Sequence, residues 1–181
     1  MGCTEELRSE HGTMMKIFSA LLHLSSGSGL TEAESHGRLE KVMDFLKAYV
    51  DQCHHPKEEE IFFPAIREAG LTRLDGLIKE LTSEHRAGQG MVQEMEKALG
   101  QLRKSEASEK VFSAVASRYV GLFRQHIRKE NGILFPAANE KLSAEIQQRV
   151  LHGFRKIDHD KLGEDRRTAF HRLAEGIEKA L

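Results

Sequence analysis

A chain of 181 residues with 39% hydrophobic and 30% charged residues, three prolines and no tryptophan holds enough apolar material for one packed domain of soluble, helical character. Its net charge of −1 provides no basic field for nucleic acid or an acidic membrane surface, so we expect neither partner. No apolar run approaches a membrane span and no apolar stretch follows a basic start, which points to a cytoplasmic protein.

Met1-Gly2-Cys3 opens like an acylation signal, but Glu6 stands where that pattern requires Ser or Thr. Cys3 and Cys53 are too few for a disulfide framework and are expected as thiols, with Cys53 filling core space beside His54. We expect residues 1–181 to form a single domain, with a bundle core over about 5–140 and a helical extension over about 143–181.

Taken in order, Thr4 can cap a first helix in which Leu7, His11, Met14, Phe18 and Leu21 recur at three and four, and Gly27-Ser28-Gly29 ends it. Thr31 with Glu34 makes a capping box for a second helix, which carries Met43, Leu46 and Val50 on the face reaching His54 and runs to about Gly70. Thr72 opens a third, where Leu74, Ile78 and Leu81 lead to His85. Ser105 opens a fourth, where Val111, Val115 and Leu122 lead to His126. A fifth helix from about Ser143 and a sixth from about Asp165, joined through Asp158-His159-Asp160, are expected to cover the others or to form an oligomer contact. Pro56 predicts a kink or a break between His54 and Glu58, since an interior proline costs a helix about 3 kcal/mol. Pro64 and Pro136 are expected to bend the second and fourth helices alike.

The chain writes its key stretch twice. Aligning Cys53-His54-His55-Pro56-Lys57-Glu58-Glu59-Glu60-Ile61-Phe62-Phe63-Pro64 with Gln125-His126-Ile127-Arg128-Lys129-Glu130-Asn131-Gly132-Ile133-Leu134-Phe135-Pro136 puts His54 on His126, Lys57 on Lys129 and Glu58 on Glu130. Upstream, Ser9-Glu10-His11 recurs as Ser83-Glu84-His85. Two copies of such a long unit indicate a duplicated helical hairpin building one site from two halves.

Residues four apart share a helix face, so His54 with Glu58, and His126 with Glu130, can reach one point. The spacing alone is common, since His36/Glu40, His55/Glu59 and His171/Glu175 also show it. The repeat, the apolar stripes and the paired His11 and His85 set the first two apart. Imidazole and carboxylate donors without a thiolate suit iron, manganese or zinc. Two histidines per ion with both carboxylates bridging would hold two ions together, with positions left open for a small molecule. Buried without a cation, those carboxylates would cost several kcal/mol. The order His-x-x-x-Glu is unlike the Glu-x-x-His of ferritin-type sites.

His11, His54-x-x-x-Glu58, His85 and His126-x-x-x-Glu130, with Lys-Glu-Glu-Glu-Ile-Phe-Phe-Pro and Lys-Glu-Asn-Gly-Ile-Leu-Phe-Pro, resemble the hemerythrin-like cation-binding (HHE) family over about residues 5–140. That resemblance implies an all-α protein: an up-down four-helix bundle with two additional C-terminal helices like the extension of longer members. It implies a non-haem diiron centre of two oxo- or hydroxo-bridged iron ions, with manganese or zinc as alternatives. By position, His11, His54, His85 and His126 would be nitrogen ligands and Glu58 and Glu130 bridging carboxylates.

Oxygen-carrying hemerythrins have a fifth histidine one turn after the third-helix ligand, where this chain has Gln89, and a second carboxylate five residues after its histidine rather than four. These departures bring the chain nearer to the four-His, two-Glu branch that includes the repair-of-iron-centres proteins. The implied function is to bind, sense or detoxify O2, NO or peroxide. The alternatives are iron–sulfur-cluster repair or iron donation, and a diiron enzyme metabolising peroxide or NO. A homodimer or an electron-donor protein are candidate partners.

Around these residues, His55 is expected to face away from the centre, about 100° around the helix from His54. Glu59 and Glu60 are expected to be solvated. Gln89 is placed either beside a metal-bound species, as a donor to it, or as a polar residue near the bundle end. Met14 and Met15 are read as core, and Tyr119, two turns before His126, as a candidate hydrogen-bonding or electron-carrying neighbour.

Overall fold

The computed structural model describes residues 2–26, 31–102 and 106–178, and among them every regular element is helical. The α-helices are α1 (Cys3–Ser25), α2 (Glu32–Phe45), α3 (Phe63–Glu68), α4 (Asp75–Leu99), α5 (Glu106–Lys129), α6 (Phe135–Lys141), α7 (Ala144–Ile157) and α8 (Glu164–Glu178). Stretches of wider, π-helical turns at Leu46–His54, Lys57–Phe62 and Glu130–Leu134 carry α2 into α3 and α5 into α6 without a loop, and a fourth at Asp158–Leu162 follows α7. The expected stop at Gly27-Ser28-Gly29 and the cap at Ser105 lie outside the described residues.

The helix starts follow from side chains that reach backbone donors. Thr31 Oγ1 accepts from the Glu34 N–H while the Glu34 carboxylate accepts from the Thr31 N–H, the expected capping box. Ser143 Oγ accepts from the Ile146 N–H and opens α7. Thr4 does not cap α1. The cap falls two residues earlier, at Gly2, whose N–H donates to the Glu5 carboxylate at 2.7 Å, and the buried Thr4 hydroxyl donates instead to Asn139 Oδ1 of α6 at 2.6 Å. Thr72 opens a short 3-10 turn, Thr72–Leu74, before α4.

The helix is not broken at Pro56, which keeps φ −61° and ψ −35° between two wide-turn stretches. On its N-terminal side the His55 N–H reaches back five residues to the Val50 carbonyl. Widening the turn relieves the contact between the proline ring and the Gln52 carbonyl that a regular α-turn would impose. Both repeats then use one device. The Phe63 N–H bonds the Glu58 carbonyl and the Phe135 N–H bonds the Glu130 carbonyl, and regular α-helix resumes with Pro64 and Pro136 in its first turn.

The bundle is formed by α1, by α2 with its continuation to α3, by α4, and by α5 with its continuation to α6; α1 packs on α2 and α5, and α4 packs on the same two. Each of the four passes through two apolar clusters with a polar layer between them. Leu7, Phe62, Leu81 and Leu134 belong to one cluster, and Met14, Val50, Val92 and Phe123 to the other. His11, His54, Glu58, His85, His126 and Glu130 fall between those positions. Val111, expected on the inner face of α5, is exposed, because Phe112, Ala116, Tyr119 and Phe123 take that stripe one residue later.

The C-terminal helices cover this bundle. Phe170 of α8 meets the Phe45 and Tyr49 rings edge-on at 5.3 and 6.2 Å, Arg166 donates to Asp44 at 2.6 Å, and Phe154 of α7 joins the cluster around Phe62. Gly153 of α7 lies against Ile61, whose Cγ2 is 2.9 Å from where a Cβ would stand. Among the described residues no helix is long and apolar enough to cross a membrane.

Candidate metal centre

The sequence-predicted residues His11, His54, Glu58, His85, His126 and Glu130 are brought together in the polar layer, none more than 2% exposed. The two carboxylates stand between two pairs of imidazoles and divide their oxygens between them. Glu58 Oε1 lies 3.5 Å from His54 Nε2 and 4.0 Å from His11 Nε2, while Glu58 Oε2 lies 3.4 Å from His85 Nε2. Glu130 does the converse, with Oε2 3.2 Å from His11 Nε2 and Oε1 3.3 Å from His126 Nε2. His11, His54 and Glu58 form one group whose donor atoms lie within 4.8 Å of one another, and Glu58, His85, His126 and Glu130 form another.

Behind each imidazole an acceptor holds Nδ1. Glu10 Oε2 is 2.7 Å from His54 Nδ1, Glu84 Oε2 is 2.9 Å from His126 Nδ1, Glu59 Oε1 is 2.6 Å from His85 Nδ1, and Asn131 Oδ1 is 3.2 Å from His11 Nδ1. Because a carboxylate only accepts, the three glutamate contacts put the imidazole proton on Nδ1 and leave the Nε2 lone pair facing the centre, and the Asn131 amide oxygen accepts from His11 Nδ1 in the same sense. The orienting residues are themselves duplicated. Glu10 and Glu84 precede His11 and His85, and Glu59 and Asn131 follow Glu58 and Glu130.

This donor set fits a cation. His11 Nε2, His54 Nε2 and all four oxygens of Glu58 and Glu130 are buried without a hydrogen-bond partner among the described residues. His85 Nε2 and His126 Nε2 face each other at 3.1 Å, where two lone pairs repel unless a proton or an ion lies between them. Burial and then the neighbouring Glu130 charge hold Glu58 well above the usual carboxylate range. Burial works the same way on Glu130, but His126 and His11 outweigh it and hold that carboxyl low. Burial opposes protonation of His126 too, yet the Glu130 carboxylate, with Glu84 and Glu58, raises it to about 9. Burial lowers His54 to about 4 against the pull of Glu10.

A buried cage stands beside the first half. Lys57 Nζ lies 2.5 Å from Glu10, 2.7 Å from Asp158 and 3.7 Å from Glu6, and Asp158 also receives bonds from Arg167 and the Cys53 thiol at 3.1 Å each. Glu6, Glu10 and Asp158 are close enough together to hold an ion, but the Lys57 ammonium already stands among them. Burial of Glu10 favours its neutral form; the His54 bond and the Lys57 charge overcome that and hold it near 2. The second half repeats the device in the open, where Lys129 bonds Glu84 and, at 2.9 Å, Glu80.

Several neighbours differ from expectation. His55 does not face away. It is buried, with its ring stacked on His85 at a centroid distance of 3.8 Å and Nδ1 3.4 Å from Asp51, because a wider turn rotates the chain less per residue than an α-turn. Glu59 is not simply solvated, since it holds His85, whereas Glu60 is exposed. Gln89 is exposed. Met14 is core, and Met15 is partly buried against it. Tyr119 is buried against Phe18 and Phe123, and its hydroxyl makes no hydrogen bond among the described residues. The orienting residues Glu10, Glu84, Glu59 and Asn131 were missed by sequence reasoning, although Glu10 and Glu84 stand inside the repeated Ser-Glu-His triplet that pointed to them.

A helical bundle enclosing a layer of histidines and carboxylates defines a cation-binding class of protein. The family model described as the hemerythrin HHE cation binding domain matches residues 4–138, and the chain belongs to that family. Relatives include the uncharacterized proteins Rv1995 and MT2051 of Mycobacterium tuberculosis and Mb2018 of Mycobacterium bovis. Each is 22% identical over 164 residues, covering 88% of this chain. The chain spans 62% of the length of these relatives.

Proposed function

We propose that this protein holds two iron ions between His11, His54, His85 and His126, bridged by Glu58 and Glu130, and uses them to bind, sense or detoxify O2, NO or peroxide. The observation that carries this reading is the division of the four carboxylate oxygens between the two imidazole pairs, which suits two adjacent cations better than one. Paired iron, when bound, supplies redox chemistry toward small diatomic molecules and peroxides. The protein's own part is to orient four Nε2 donors through their Nδ1 contacts, to balance the ions with two buried carboxylates, and to exclude bulk water. Enclosure of every ligand at 2% exposure or less supports small-molecule chemistry over handing iron to another protein.

Metal analysis of protein purified without oxygen or added metal tests this reading, and about two irons per chain are expected. His126→Ala should lower metal content and stability together, because buried Glu130 loses His126, the stronger of its two neutralising imidazoles, and keeps only His11 beside it. Unchanged loading in that variant would overturn the ligand assignment. NO and O2 adduct spectra against peroxide consumption then separate binding from turnover.

A further inference from the structure

We propose that the two halves of the centre are unequal toward their cations, and that Asn131 is the positioning residue that makes them so. This rests on the paired-ion reading above. The two repeats place their orienting residues at equivalent positions, which makes the one chemical difference legible. Position 59 is a glutamate 2.6 Å from His85 Nδ1, and its counterpart, position 131, is an asparagine 3.2 Å from His11 Nδ1. A carboxylate draws the Nδ1 proton, which makes Nε2 a stronger donor; a neutral amide oxygen at longer range does so less, since charge-assisted bonds are about twice as strong.

Behind His54 and His126 stands a glutamate in each half, Glu10 and Glu84, and each faces a lysine that further acidic groups share: Lys57 with Asp158 and Glu6, Lys129 with Glu80. The His85/His126 half therefore has two carboxylate-backed imidazoles, and the His11/His54 half has one. The ion between His85 and His126 is the more tightly held and the harder to reduce, and the ion between His11 and His54 is the exchangeable, more readily reduced one. Asn131 is held for this role from the backbone, where its carbonyl accepts from Arg8 Nη2 of α1 at 2.6 Å.

The test is anaerobic titration of chelator-stripped protein with Fe(II), in competition with a colorimetric chelator, followed by Mössbauer spectra of the loaded forms. Wild type, Asn131→Asp, Asn131→Ala and Glu59→Gln are compared. Wild type is expected to take up two ions in separable steps. Asn131→Asp, nearly isosteric, should tighten the weaker step by about 10-fold or more, the usual size of an outer-partner effect. Asn131→Ala should weaken that step, and Glu59→Gln should weaken the tighter one. The position 131 variants should move one iron signal and Glu59→Gln the other. An Asn131→Asp step that stays in place, or variants at 131 and 59 that move the same signal, would overturn the proposal; should the Asp variant not fold, Asn131→Ala decides by the same signals. Uptake of one ion or none by wild type would overturn the paired centre, and this inference with it.

Discussion

Lys57→Met, set against its repeat counterpart Lys129→Met, tests the electrostatics of this fold under matched chemistry. Lys57 is fully buried among Glu10, Asp158 and Glu6, and its ammonium lies 5.7 Å from the centre of the Phe154 ring. Methionine keeps most of the aliphatic stem but deletes the charge, leaving three acidic groups buried around an apolar thioether. Breaking a buried charge pair from one side costs about 3–5 kcal/mol. For a chain of this length that lowers the melting temperature by roughly 6–20 °C. Lys129 makes the same kind of contacts to Glu84 and Glu80 but is open to water, so Lys129→Met should cost no more than about 1 kcal/mol. Urea denaturation of both variants, at fixed metal and again in excess chelator, separates loss of the cage from loss of metal. If the two lysine variants lose equal stability in chelator, the reasoning from burial is refuted.

In the metal-free chain stability should fall as pH rises from 6.5 toward 9, because folded His126 titrates at about 9, above the ordinary imidazole value, and the buried Glu58 carboxyl likewise holds its proton above the usual carboxylate range. The His126 part amounts to about 3 kcal/mol, and saturating metal should flatten it by taking the place of that proton. A profile in chelator that stays flat or rises over that range would contradict this. Gly88→Ala would drive a Cβ into the Phe123 ring and should destabilise by about 1–3 kcal/mol, while Gly90→Ala, with nothing within 4 Å, should stabilise by up to about 1 kcal/mol; thermal melts distinguish them.

Periodicity and repetition carry what is legible in the amino-acid sequence. Apolar residues at three and four locate the helices, and the doubled His-x-x-x-Glu with its upstream histidines picks out the polar layer, because residues four apart on a helix must share a face. The same logic misplaces Val111, where a neighbouring stripe beginning at Phe112 is equally periodic. It also misplaces His55, because the 100° step assumes an α-turn that the stretch around Pro56 does not keep.

Sequence by itself determined the helical class, the duplication and the residue types offered to a cation, since these depend on local spacing. Only the tertiary structure decided which acceptor stands behind which imidazole, which carboxylate oxygen faces which pair, and that Asp158 of the C-terminal extension closes the Lys57 cage. Those contacts join residues far apart in the chain, Cys53 with Asp158 and His11 with Asn131, and are set by how whole helices pack. Burial then makes them unequal. The same lysine–glutamate–histidine pattern is sealed in one repeat and open to water in the other, and no local spacing records which side the extension covers.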